Sequence, residues 1–277
     1  MIKTKIEEKQ IKNCRRISLK TLYELSKSLC KIILIKSEFE RELRGTGFFL
    51  KIQGDLPFYF LITSYHIISE ALVDLEKSTY IEIITEFGIE KEIELNNEER
   101  LIKILKELDI VAIQIVEKDT IIDEIKFLNY DENEDEKYIN KDVFILQYPK
   151  CKELEFSNGK INKKINGYEF LHSLNTYKGS FGSPIFLFDN KSVIGVHTKY
   201  CKDENNNNIG VFIGNIKREI FSLFKKEISI ICDSNSKYII KGDLNVENIN
   251  LDKGKSLIIS DNSCLSIGNF SRILDFK

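Results

Sequence analysis

The chain has 277 residues, enough to bury a sizeable core in one or two domains, and its 42% hydrophobic and 30% charged residues are the balance of a folded globular protein. Its 41 Lys and Arg stand against 43 Asp and Glu, a formal charge of -2 that leaves no basic excess for a phosphate backbone and excludes nucleic acid as an expected partner. The six cysteines (Cys14, Cys30, Cys151, Cys201, Cys232 and Cys264) lack zinc-ribbon or dense-disulfide spacing, and neither a secretory leader nor a run of ~20 apolar residues is seen, so a cytoplasmic protein with free thiols and no membrane contact is expected.

In chain order, Ser18 opens a helical spacing of Leu19, Leu22, Leu25 and Leu29 that runs into an apolar strand at Ile32 to Ile35. A hairpin follows, with strands at 48–52 and 58–63 around Gly54-Asp55-Leu56-Pro57. Further short strands are expected at 80–85, 91–95, 110–116 and 143–147. The acidic run 131–137 reads as an exposed connection between two halves. The second half repeats the strand pattern at 183–188, 192–197 and 209–213, and closes with an amphipathic helix over 217–226. Beyond it, 239–246, 257–260 and 265–267 alternate apolar and polar residues, which predicts a β-rich appendage of one or two hairpins or solenoid turns.

Three segments carry the candidate chemistry. His66 ends the buried strand Leu61-Ile62-Thr63-Ser64-Tyr65-His66, and Asp109 precedes the apolar strand Ile110-Val111-Ala112-Ile113. Either alone fits a structural role, although a buried carboxylate requires a partner. The third segment, Gly179-Ser180-Phe181-Gly182-Ser183-Pro184, leads to Val193-Ile194-Gly195-Val196-His197. A glycine-rich turn running into a strand can aim successive backbone N–H groups at a developing oxyanion.

Taken in order, these segments resemble the chymotrypsin-like serine peptidases, and most closely their glutamyl endopeptidase branch. Gly45-Thr46-Gly47-Phe48, Gln147-Tyr148-Pro149 (with Gln147 where Gly is usual) and Asn158-Gly159-Lys160-Ile161 add to the likeness across residues 45–225. The resemblance implies a mainly β fold of two packed antiparallel six-stranded barrels. The expected domains are an N-terminal extension at 1–38, a first barrel at 39–135, a second barrel with its closing helix at 136–228, and the appendage at 229–277. It also implies His66 as general base, Asp109 as the carboxylate that orients it, and Gly179 in the oxyanion hole.

The nucleophile position is occupied by Phe181, which has no group able to attack a carbonyl, so an inactive protease relative that binds a peptide or protein is expected. The alternative is an active endopeptidase that uses the neighbouring Ser180 and cleaves after acidic residues. Thr176 and His197 stand where that branch holds an acidic side chain; His172 reads as structural. No cofactor is expected, and the spacing of His197 and Cys201 does not argue for a metal.

Overall fold

The computed structural model describes residues 16–224, apart from 38, 54–57, 74–78, 97 and 202–206, together with five short strands between 229 and 267. Two compact units divide the chain, Met1–Lys217 and Arg218–Lys277. Among the described residues no helix is long and apolar enough to cross a membrane.

The first unit opens on α1 (Leu19–Ser26), whose N-terminus is capped by the Ser18 hydroxyl accepting the Thr21 N–H. Seven antiparallel strands follow: β1 (Leu29–Ser37), β2 (Glu40–Ile52), β3 (Phe58–Ser64), β4 (Thr79–Thr85), β5 (Glu90–Leu95), β6 (Ile102–Leu105) and β7 (Ile110–Gln114). They form one sheet in the order β5-β4-β1-β2-β3-β7-β6. A one-turn helix α2 (Tyr65–Ile68) leaves β3 and presses Ile67 and Ile68 into the core of this sheet, among Leu34, Phe49, Leu61, Val111 and Ile113.

Six more strands close a barrel in the order β10-β13-β12-β11-β8-β9: β8 (Asp142–Gln147), β9 (Glu155–Lys164), β10 (Glu169–His172), β11 (Pro184–Leu187), β12 (Val193–Tyr200) and β13 (Asn208–Phe212). Phe170 and Phe212, with ring centroids 4.4 Å apart, fill its centre beside Val143, Ile145 and Ile194. The fold is therefore the mainly β, double-barrel type expected. Its second half closes with six strands, whereas its first is a seven-stranded half-barrel sheet rather than a six-stranded one. Strand β1 pairs with both β2 and β4 and is a member of this sheet.

The acidic connection is not simply exposed. Leu128 pairs with Leu50 of β2 and Tyr130 with Val193 of β12, so the crossing segment is bonded to both sheets. Asp131 is buried because its carboxylate accepts the Tyr138 hydroxyl at 2.7 Å and the Asn133 N–H at 3.0 Å, partners that offset its desolvation. Burial acts to raise its pKa, but the bonds from Tyr138, Asn133 and Asn190 together hold it below the usual aspartate value.

Strand β13 leads directly into α3 (Ile213–Phe224), which starts earlier than the apolar spacing of 217–226 predicts. In the second unit, β14 (Ser229–Cys232) and β15 (Lys237–Lys241) form an antiparallel hairpin. β15 pairs in parallel with β17 (Ser256–Ile259), and β16 (Leu244–Val246) does so with β18 (Leu265–Ile267). The appendage thus combines one hairpin with solenoid-like parallel pairings.

Candidate active site

His66 does not end the strand but lies in α2, directly after β3, and the β6–β7 hairpin delivers Asp109 at its turn, where φ is 55°. These two elements lie side by side because β3 pairs with β7 up to Ser64↔Ile110. Asp109 then does two things at once. Its carbonyl and one carboxylate oxygen accept the N–H groups of Tyr65 and His66 at 2.9 and 3.0 Å, satisfying the first turn of α2. Its other oxygen lies 2.7 Å from His66 Nδ1. A carboxylate at that distance holds Nδ1 as the protonated nitrogen and leaves Nε2 as the acceptor. The imidazole is about half exposed, whereas Asp109 is nearly buried.

The turn at 179–183 is held against the first sheet by Thr46. Its N–H donates to the Phe181 carbonyl at 3.0 Å, and its hydroxyl donates to the Gly179 carbonyl at 2.8 Å while accepting the Tyr148 N–H. Gly182 is required here: φ is +85°, and a Cβ would lie 2.2 Å from the Thr46 carbonyl oxygen. Gly179, at φ +97°, is equally confined by the backbone of Tyr148, Lys150 and Cys151. Among the described residues neither the Gly179 nor the Phe181 N–H donates to a backbone carbonyl.

The structure brings the Phe181 ring into contact with His66 after β3 and with His197 and Tyr200 of β12. Its ring meets His66 edge-on with centroids 4.9 Å apart, stacks on His197 at 5.3 Å and 18°, and meets Tyr200 at 4.8 Å. Ser180 points elsewhere: it is fully buried, and its hydroxyl accepts the Tyr177 N–H at 3.1 Å. Thr176 and His197 are also buried, and among the described residues Thr176 Oγ1 and His197 Nε2 have no hydrogen-bond partner.

His172, read from sequence as structural, lies with its Nε2 3.3 Å from His197 Nδ1. The two reach each other across β13, where His172 faces Asn208 and His197 faces Gly210. Burial pushes His197 down to about 3 and His172 well below its ordinary value, so both are neutral at neutral pH. A histidine depressed in the folded chain refuses protons that the unfolded chain accepts. Stability is therefore full above about pH 6.5 and is lost as pH falls below it towards the depressed values of the two rings. Thermal unfolding should be flat above pH 7 and should weaken between pH 6.5 and 5, above the range where carboxylates titrate. The slope should shrink in His197→Asn; an unchanged slope would contradict the assignment.

These features agree with what comparison finds. The model of the trypsin-like peptidase domain matches residues 45–196, more than half of the chain. The chain belongs to the trypsin-like peptidase domain family. Among solved structures, this peptidase domain is similar to a serine endoprotease from Yersinia pestis (TM-score 0.55, 13% identity, covering 76% of this chain and 69% of that one). It is also similar to a protease from M. tuberculosis in its active form (TM-score 0.54, 13% identity, covering 72% and 82%). At such identities the likeness is one of fold. No curated protein sequence matches significantly.

Within the trypsin-like peptidase domain, sequence reading missed Thr46, Tyr200 and the pairing of His172 with His197. Thr46 stood inside the quoted Gly45-Thr46-Gly47 segment, but its contacts lie 102 and 133 residues away and leave no local signal.

Proposed function

We propose that this trypsin-like domain is catalytically silent and acts by holding an extended peptide in the cleft between its two sheets. The observation that carries this reading is the Phe181 ring, packed among His66, His197 and Tyr200 where a nucleophile is needed. Fold alone does not decide activity, so the reading rests on this position. The 2.7 Å contact of His66 with Asp109 suits a general base and its orienting carboxylate, and the glycine turn suits an oxyanion, but among the described residues no side-chain hydroxyl is hydrogen-bonded to the His66 ring, and that of Ser180 is taken up by the Tyr177 N–H.

The edge of β12 supports this reading. Strand β11 pairs with β12 no further than Val196, and the turn continues that edge to His197, whereas β13 follows β12 to Tyr200. Thr198 to Tyr200 thus offer main-chain groups to an added strand. The expected result is no turnover of a library of Glu- and Asp-containing peptides, no fluorophosphonate labelling at Ser180, and saturable binding of uncleaved members. Cleavage or labelling would overturn the reading.

A second reading, an endopeptidase with acidic preference, is favoured by the buried Thr176 Oγ1 and His197 Nε2, which have no hydrogen-bond partner among the described residues and are groups able to bond a carboxylate. Labelling at Ser180 is the result that would move the conclusion to it.

A further inference from the structure

The turn at 179–182 has two flanks. On one, Phe181 touches Tyr200. On the other, Gly179 lies against the backbone of Lys150 and Cys151, and the Lys150 N–H donates to the Lys178 carbonyl. Three lysines are carried by the segments that meet on this second flank. Lys150 Nζ lies 5.3 Å from the Tyr177 ring, and Lys31 Nζ lies 5.2 Å from the Tyr148 ring. Lys31 lies in register opposite Thr46, whose hydroxyl bonds to the Gly179 carbonyl next to Lys178, and the charges of Lys178 and Lys31 both oppose the rise that burial causes in the Cys151 thiol. Lys150 and Lys178 are exposed and Lys31 is half-buried.

Like charges gathered in this way repel one another unless something neutralises them. Elsewhere in the domain lysines sit on carboxylates, as Lys118 does on Glu94, Lys164 on Glu136 and Lys199 on Glu169. Among the described residues none of Lys31, Lys150 and Lys178 forms an ion pair. Glu86, whose charge reaches the Tyr148 hydroxyl, is not paired to any of them. Aromatic rings beneath two of the ammonium groups hold them in place without cancelling their charge.

We infer that Lys31, Lys150 and Lys178 form a docking surface for an acidic stretch of the peptide held in the cleft, an inference that rests on the peptide-binding reading above. The cluster lies on the flank of the turn away from the Tyr200 contact of Phe181, so selectivity does not require His197, on which the ring stacks. Because the cluster is open to solvent, its contribution is screened by salt.

The test is fluorescence anisotropy with the full chain and two labelled peptides, an extended Ala/Ser sequence with Glu at alternate positions and the same sequence with Gln. The Glu peptide should bind about tenfold tighter at low salt, an advantage that fades as the Debye length shortens. The preference should vanish in Lys31→Gln/Lys150→Gln/Lys178→Gln, with unchanged thermal unfolding and unchanged affinity for the Gln peptide. Equal affinity for the two peptides, or a preference that survives in the triple variant, overturns the inference while leaving the cleft reading intact. Failure of both peptides to bind overturns the two together. Tighter binding of an oligothymidylate than of the Glu peptide would assign the cluster to a nucleic acid instead.

Discussion

Phe181→Ser is expected to convert a chain that does not cut peptides into one that does, with a gain on the order of 10³-fold over the unmodified protein. The turn that carries position 181 is held by main-chain bonds, from Thr46 to the Phe181 carbonyl and from Gly182 to the His197 carbonyl, and these do not depend on the ring. His66 already has Nδ1 held by Asp109 at 2.7 Å, so its Nε2 is ready to accept a hydroxyl proton once one is supplied. Removing the ring also uncovers His197 and Tyr200, at a cost in packing of about 1–3 kcal/mol for a partly buried aromatic. Phe181→Ala separates the two effects: it loses the same packing but has no nucleophile, and it should stay inert. Adding His66→Ala to Phe181→Ser should abolish the gain. If Phe181→Ser is folded and inert, the roles assigned to His66 and Asp109 are wrong; if the unmodified chain cuts, the silent reading is wrong.

The strands legible from sequence were those with dense β-branched and aromatic runs, such as β3 and β7, whose residues are buried on both faces. Strand β9 was not legible as a strand, because its solvated face is continuous and only Ile161 is fully buried along Glu155–Lys164. Strand β10, four residues long, was too short to show a period. The acidic run at 131–137 illustrates a different limit. Charge predicts solvation, but the burial of Asp131 follows from partners that include Asn190, a long way along the chain.

At the site, residue types and order were enough to select His66, Asp109 and the glycine turn, because each chemistry allows few residues. Their contacts were not visible in the same way. Position 181 could be read as lacking a nucleophile, but stacking of its ring on His197 depends on β12 and the turn meeting in space. His172 looked structural because a lone histidine in a strand normally is. Its link to His197 exists only because β10 and β12 both flank β13.

The second large effect lies in the hairpin that carries Asp109. At the far end of β6 and β7, Arg100 makes a two-pronged bond to Asp119, at 2.9 and 2.7 Å, and also donates to the Gln114 carbonyl at 3.0 Å. Asp119 in turn accepts the Val116 N–H at 2.8 Å, and the Gln114 side chain accepts the Leu101 N–H at 3.0 Å. The Arg100 and Asp119 side chains are 0% and 3% exposed, so removing one leaves the other charged, buried and unpaired. Arg100→Ala should therefore cost about 3–5 kcal/mol, lowering the midpoint of thermal unfolding by about 10 °C. Arg100→Lys should recover only part of this, since an ammonium cannot reproduce the fork. The double change Arg100→Met/Asp119→Leu should recover most of it, because it removes both desolvated charges together. If Arg100→Ala were neutral, the pair would not be the clamp described here, and Asp109 would have to be held by the pairing of β7 with β3 alone. In the Phe181→Ser background, loss of the clamp should reduce turnover at temperatures below unfolding, since the hairpin sets where the Asp109 carboxylate meets His66.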